Sequence, residues 1–392
     1  MPAPVLRILV LSFYYPPDLG PGALRAAAFV RALRRIAPVS TIVEVITTSP
    51  HRYKERDPGP WEAQLAQDGI LIHRQHAGPG RLLGFARFAC RVFRSTANQH
   101  YDVVFATSAR LGTAAVAARI AEAKACPLLL DLRDDVVGDV RTLFGGIGKL
   151  IAPALVAVER FAFSRAASVS LVSLGHVRHF RQAWPSTDFL FVPHGVPAAF
   201  GSPTPWKLAK RDARTLVMYA GTIGEAQAIH RIIPGLALHL RASHDFVIIG
   251  GGSRRNELAR RVAHLPNVTL RPPVAQLELA HLYADADILF ASLEPGSAFD
   301  LVVPSKLFEM IASGKPIVAG VSGEAARFLK RNAPDARLFP PGDLDGAIDA
   351  FKFRANSHRT DRSQFLGMYG QDAVVAPLAR RALAFAQCGD QA

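Results

Sequence analysis

Short apolar runs alternate along the chain with longer segments of helical period. In the first half these runs fall at 5–13, 41–48, 69–74, 101–106, 127–132, 168–173 and 188–193. In the second half they fall at 215–220, 245–250, 267–271, 286–291, 316–319 and 336–339. A strand buried on one face alternates apolar and polar residues, whereas these runs are nearly continuous. Continuous runs spaced by helix-length connections predict parallel strands covered on both faces. The pattern therefore predicts an α/β chain of two doubly wound, Rossmann-like domains in tandem.

The stretch 197–206 is rich in Pro, Gly and Ser and has no period, as a linker should be. The expected division is 1–197 for an N-terminal domain and 198–363 for a C-terminal one. Residues 364–392 form a mostly helical segment expected to pack back toward the N-terminal domain. At 392 residues, with 49% hydrophobic and 20% charged side chains, each half has enough apolar sequence for its own core.

Charge narrows the partners. Lys and Arg number 46 against 32 Asp and Glu, a formal net charge of +14, which favours nucleic acid, an acidic membrane surface or a phosphorylated substrate. The three cysteines are scattered without a CxxC pair, which argues against a disulfide framework and against a zinc site. No stretch approaches the ~18 uninterrupted apolar residues of a spanning helix. The run 5–13 contains Arg7 and leads into Tyr14-Tyr15-Pro16-Pro17, so it reads as a first strand rather than a signal peptide. A cytoplasmic protein is expected, with any membrane contact peripheral, on the inner face of the cell membrane.

In parallel sheets ligands bind beyond the carboxyl ends of the strands, and four loops there carry chemistry. The first, Tyr14 to Gly22, offers Gly20 and Gly22 ahead of a helix whose N-terminus favours an anion. It is not GxGxxG, which disfavours a dinucleotide. The second is Gly221-Thr222-Ile223-Gly224, two glycines flanking a hydroxyl residue at a strand end. The third, Gly250-Gly251-Gly252-Ser253-Arg254, adds a cation for a phosphate or for a solvated helix end. In the fourth, Pro304 opens a helix with Ser305 and Lys306 in its first turn and Glu309 on the same face as Lys306. Lys306 suits a phosphate and Glu309 the ribose hydroxyls, while the bland alternative is an ordinary surface pair. No DxD lies on a donor loop and no His/Cys cluster occurs, so no metal and no cofactor are expected.

PSKLFEMIASGKPIVAG (304–320), YAGTIG (219–224), VIIGGG (247–252), ADADILFASL (284–293), FVPHGVP (191–197) and YPPDLGPG (15–22) together resemble the retaining GT-B glycosyltransferases of family four. The subgroup that builds bacterial surface polysaccharides is the nearest in appearance. The resemblance implies two domains facing across a cleft and a nucleoside diphosphate sugar, UDP-sugar favoured, as donor substrate. It implies Glu309 on the ribose, Lys306 near the diphosphate, Gly221 and Thr222 under it, and the Gly20–Gly22 loop closing over the donor phosphate. The acceptor would be a saccharide or lipid-linked saccharide. Asp134, in the charged loop after the strand 127–132, is expected to face the transferred sugar or acceptor, or else to be a solvated turn. Two departures stand out: Leu301 occupies the place of a second glutamate, and Thr222 and Gln227 stand where the family has Arg and Lys. They shift the charge stabilisation toward Lys306 and Arg254.

Segment 81–94 carries a separate expectation. No acidic residue lies between Asp68 and Asp102, while Arg81, Arg87, Arg91 and Arg94 all occur. Phe85, Phe88, Ala89 and Val92 share one helical face opposite Arg87, Arg91 and Arg94, with Leu82, Leu83 and Phe93 nearby. Such a helix either lies on an anionic membrane surface or packs its phenylalanines on its own sheet. Two rivals to transfer remain: a nucleotide-sugar 2-epimerase on the same architecture, and a non-catalytic basic nucleic-acid-binding protein. The second lacks any RNA or DNA motif, so no nucleic acid is expected.

Overall fold

The computed structural model describes residues 5–388 except 19, 51–68, 79, 109, 144, 202–213 and 353–359. Part of the expected linker, 202–206, and the last four residues of the C-terminal segment thus lie outside the described residues. Two compact units result: Met1–His194 with Gln371–Ala392, and Gly195–Gly370.

Unit 1 holds a seven-stranded sheet in the order β3-β2-β1-β4-β5-β6-β7. Its strands are β1 (Arg7–Ser12), β2 (Ile42–Thr48), β3 (Ile70–Gln75), β4 (Val103–Ser108), β5 (Leu128–Leu132), β6 (Ser168–Leu171) and β7 (Phe189–Phe191). Its helices are α1 (Pro21–Ile36), α2 (Arg81–Thr96), α3 (Leu111–Lys124), α4 (Val136–Leu143), α5 (Gly145–Phe163) and α6 (Leu174–Ala183). Unit 2 holds a six-stranded sheet in the order β10-β9-β8-β11-β12-β13. The strands are β8 (Thr215–Ala220), β9 (His244–Ile249), β10 (Val268–Arg271), β11 (Ile288–Ser292), β12 (Ile317–Gly320) and β13 (Arg337–Phe339). Its helices are α7 (Ile229–His239), α8 (Arg255–Val262), α9 (Gln276–Asp285), α10 (Ser305–Ser313), α11 (Gly323–Asn332), α12 (Leu344–Ala350) and α13 (Ser363–Tyr369). The last helix, α14 (Gln371–Cys388), belongs to unit 1.

Among the described residues every strand pair is parallel, as continuous apolar runs require, and each of the thirteen strands falls on one of the runs seen in sequence. The fold is α/β with two Rossmann-like domains. In unit 1, Leu9, Leu11, Val104 and Leu130 share an apolar cluster with Phe88 and Val92 of α2, Ala117 of α3, Phe163 of α5 and Phe180 of α6. Phe105 points to the opposite face and stacks on Phe29 of α1. There α14 packs along α1, with Arg35 bonded to Asp372 at 2.7 Å. The strand order reverses between β1 and β4 in unit 1 and between β8 and β11 in unit 2. These switch points are where such sheets open a crevice for ligands. Among the described residues no helix is long and apolar enough to cross a membrane.

Candidate functional site

In unit 2 the loops after β8 and β9 are joined backbone to backbone. The Gly221 amide donates to the Ile249 carbonyl at 2.9 Å and the Ile223 amide to the Gly251 carbonyl at 2.8 Å. This approach leaves no room for side chains. A Cβ on Gly250, whose φ is +152°, would fall 1.9 Å from the Gly221 carbonyl oxygen, and one on Gly252 would fall 2.4 Å from that of Ile223. Gly224 is buried at the end of the turn, whereas Thr222 is exposed.

Helix α10 reaches the same strand ends. Pro304 stands at its N-cap with ψ of 138°, Ser305 is its first residue, and Gly314 closes it at φ of 70°. Lys306 folds over Gly221: its Nζ lies 2.6 Å from where a Cβ on that glycine would sit. The same Nζ donates to the Tyr219 hydroxyl at 2.8 Å and lies 4.0 Å from the centre of the tyrosine ring. Tyr219 is fully buried at the end of β8 and its hydroxyl donates to the Thr222 carbonyl. One phenol thus fixes both the lysine and the loop that carries Gly221.

Glu309 follows Lys306 by three positions on α10, and both are largely buried. Burial pushes Lys306 down from its usual value to about 7, with Glu309 pulling it back up. Burial likewise pushes Glu309 up to about 7 against the pull of Lys306. Each group alone is an under-solvated charge, so an incoming ligand with hydroxyls and phosphate oxygens would satisfy both. Tyr283 of α9 is buried beside them, its phenol pushed upward by burial, Glu309 and Tyr219.

Arg254 sits otherwise. Its guanidinium is paired with Glu225 and, at 3.0 Å, with Glu257. Gly251 beside it is half-buried and contributes backbone to the joined loops. Of the cations proposed from sequence for unit 2, Lys306 is thus the one held over the glycine loops.

In unit 1, Gly20 is the N-cap of α1 and Pro21 opens it. Gly22 is buried under Arg133, whose Nη1 lies 2.0 Å from the position a Cβ would take. Asp134 is exposed beyond β5, while Asp135 accepts from the Gly138 amide at 2.8 Å and caps α4. Across the switch point Arg110 lies 4.2 Å from the Phe13 ring and donates to the Tyr14 hydroxyl at 3.0 Å.

Beneath these loops runs a buried network. Arg25 of α1 donates to both oxygens of Asp131 at 2.7 and 2.8 Å, and to the Pro193 and Val192 carbonyls at 2.6 and 3.0 Å. Thr107 and Ser170 donate to the same carboxylate. Burial would push Asp131 up, but Arg25 with Ser170 and Thr107 holds it down at about 2. Burial and the nearby Arg25 and Arg133 push His194 down to about 3, so its imidazole is neutral. Among the described residues no group of three or more His, Cys, Asp or Glu is arranged to hold a metal.

The sequence missed Tyr219, Tyr283 and the Arg25–Asp131 network. The available signals were a tyrosine two residues before Gly221, and an aspartate inside the apolar run 127–132. The phenylalanine face of α2 belongs to the unit 1 core: Phe88 and Val92 are fully buried, and Phe85 packs on Gly112. Of the two readings of segment 81–94, that face supports packing on the sheet. Arg87, Arg91 and Arg94 are exposed, and the side chains of Arg81 and Leu82 lie outside the described residues.

Residues 214–353 match the family described as glycosyl transferases group 1. No curated protein sequence matches the chain. Among solved structures, Anabaena Alr3699/HepE in complex with UDP and glucose is 16% identical, with TM-score 0.62 over 98% of both chains. Sucrose-phosphate synthase from Thermosynechococcus elongatus is 15% identical, with TM-score 0.65 over 98% of both chains. WaaG, a glycosyltransferase involved in lipopolysaccharide biosynthesis, is 15% identical, with TM-score 0.64 over 98% of this chain and 99% of its own. At these identities the likeness is one of fold, which is GT-B.

Proposed function

We propose that this chain transfers a sugar from a nucleoside diphosphate sugar to a saccharide or lipid-linked saccharide acceptor. The observation that carries the reading is Lys306 held over Gly221 by Tyr219, with Glu309 beside it, inside the segment that matches the group 1 glycosyltransferases. The donor is a UDP-sugar in the favoured form of the proposal, consistent with the UDP carried by the HepE structure.

In the reaction the bond between the anomeric carbon and the β-phosphate oxygen breaks, and its electron pair leaves with the diphosphate. The acceptor oxygen forms the new bond to that carbon, and its proton passes to the departing phosphate or to solvent. Charge therefore develops on the diphosphate, where Lys306 stabilises it more than it stabilises the intact donor. Glu309 holds the ribose hydroxyls and so fixes the diphosphate against the loop. The proposal includes retention at the anomeric carbon and a bacterial surface polysaccharide as the destination. It assigns the Gly20–Gly22 turn to the donor phosphate and Asp134 to the sugar or acceptor. No metal is needed for these roles.

A thermal-shift panel of UDP-, GDP- and ADP-sugars tests the donor, since a ligand at ~100 times its Kd adds about 2.7 kcal/mol of stability. Stabilisation by UDP-sugars that disappears in Glu309→Ala supports the site. An unmoved melting temperature with every nucleotide sugar overturns it. Conversion of donor alone to its 2-epimer, with no acceptor present, would replace transfer by epimerisation.

A further inference from the structure

Helix α5 is much longer than the strands it connects. Its nineteen residues span about 28 Å at ~1.5 Å per residue. β5 and β6 have five and four residues and reach roughly 13–17 Å. The C-terminal end of α5 is anchored: Ala162 and Phe163 are in the core, and Glu159 accepts from the Trp184 indole at 3.0 Å. The N-terminal end pairs with α4 as a hairpin. Gly148 meets the Val140 carbonyl so closely that a Cβ would fall 2.2 Å from it.

On this N-terminal end Ile147, Leu150 and Ile151 are 72%, 81% and 45% exposed. Their spacing places them on one stripe, which Ala154 continues, while Gly148 and Ala152 on the inward stripe are buried. Lys149 is the one charge on this helix end, whose other side chains are apolar and in good part face outward.

Asp139 of α4 is half-buried and Glu159 of α5 is buried, and the charges these two helices expose are cationic. From 140 to 158 the sequence contains no acidic residue, and Arg141 and Lys149 are both exposed. Helix α2, on the same face of the sheet, exposes Arg87, Arg91 and Arg94. A second copy of this chain docked by two-fold symmetry would set this cationic face against itself. An anionic bilayer instead receives the apolar stripe at its headgroup boundary while the cations stay among the phosphates.

We infer that the N-terminal half of α5, with Ile147, Leu150 and Ile151 as its inserted edge and Arg141 and Lys149 as its flank, docks the protein onto an anionic lipid surface. Phe85 and Phe88 of α2 take no part, since they pack in the unit 1 core. The inference does not rest on the glycosyl-transfer reading, and its test contains no sugar.

The test is cosedimentation of the full chain with vesicles of phosphatidylglycerol and phosphatidylcholine, against phosphatidylcholine alone. Binding to the mixed vesicles is expected, and the combined Ile147→Ser, Leu150→Ser and Ile151→Ser variant should partition at least about tenfold less with an unchanged Tm. Combined Arg141→Ser and Lys149→Ser should weaken binding at low salt and matter little at high salt. Leu150→Trp, a change at the most exposed of the three positions, should show blue-shifted emission on mixed vesicles, which keeps the test open if the triple variant does not fold. Absence of binding, equal binding to phosphatidylcholine alone, or binding unaffected by the triple substitution overturns the inference. So does a concentration-dependent dimer that the same variant abolishes, which would assign the face to a second copy.

Discussion

Lys306 rests its amine on the face of Tyr219 and donates to that residue's hydroxyl, although 87 positions separate the two. The tyrosine is buried at a strand end and cannot move, so the lysine is positioned over Gly221 before any ligand arrives. Tyr219→Phe keeps the ring and deletes the hydroxyl that bridges Lys306 to the Thr222 carbonyl. The loss of roughly 1 kcal/mol expected for such a bond corresponds to about fivefold weaker UDP binding, measurable by calorimetry.

Lys306→Ala should lower turnover of a nucleotide sugar by about 10²–10³-fold, the range for removal of one donor at a developing charge, and Glu309→Ala should lower it through loss of the ribose contact that fixes the diphosphate. Near-normal turnover by both purified variants would remove the assigned site.

The same two groups set a pH dependence. Lys306 loses its proton near pH 7 when folded but near 10.5 when unfolded, so the unfolded chain binds more protons between those values and stability rises with pH there. Glu309 keeps its proton to about 7 when folded but only to 4.5 when unfolded, so its contribution falls as pH rises from 4.5 to 7. A bound diphosphate recharges Lys306. Binding should therefore take up a proton above pH 7, and UDP affinity should fall as pH rises from about 7.5 to 9.5, by up to tenfold per unit. Calorimetry in buffers of different ionisation enthalpy reads the proton directly, and Lys306→Met should flatten the profile.

Gly250→Ala forces a methyl into the Gly221 carbonyl at a backbone angle that alanine rarely adopts. A cost of roughly 1–3 kcal/mol is expected, read as a lowered Tm together with weakened nucleotide binding. Arg254→Ala should leave UDP binding almost unchanged, since its guanidinium serves Glu225 and Glu257.

Asp131→Ala removes the acceptor of four hydrogen bonds and leaves Arg25 as an uncompensated buried cation. Breaking such a pair costs about 3–5 kcal/mol, so a large fall in Tm is expected by calorimetry. Asp131→Asn, which retains the shape, should fall less.

The fold was legible because strand burial is written in local composition: LLLDL and RILVLS read as covered strands without knowledge of their neighbours. Lys306 and Glu309 were legible for a similar reason, since helical spacing puts them on one face of α10. Their support was not. The Tyr219 ring meets Lys306 only through the fold, and Arg254 finds Glu225 across 29 positions. Local sequence cannot tell an arginine that waits for phosphate from one already satisfied by a distant carboxylate. For α2 the periodicity was right, but amphipathicity alone does not say whether the apolar face meets lipid or its own sheet; the buried Phe88 does.

The return of α14 to α1 has a consequence for cutting and joining the chain. The Val196 amide bonds to the Tyr369 carbonyl at 2.7 Å, so Gly195–Gly370 begins and ends at one point. Topologically it is an insert within a host, and the host is sewn shut by its own last helix. A gene fragment stopping at 370 would strip α1 of its partner, whereas 195–370 is a cassette whose two ends already meet and which a short splice could bypass.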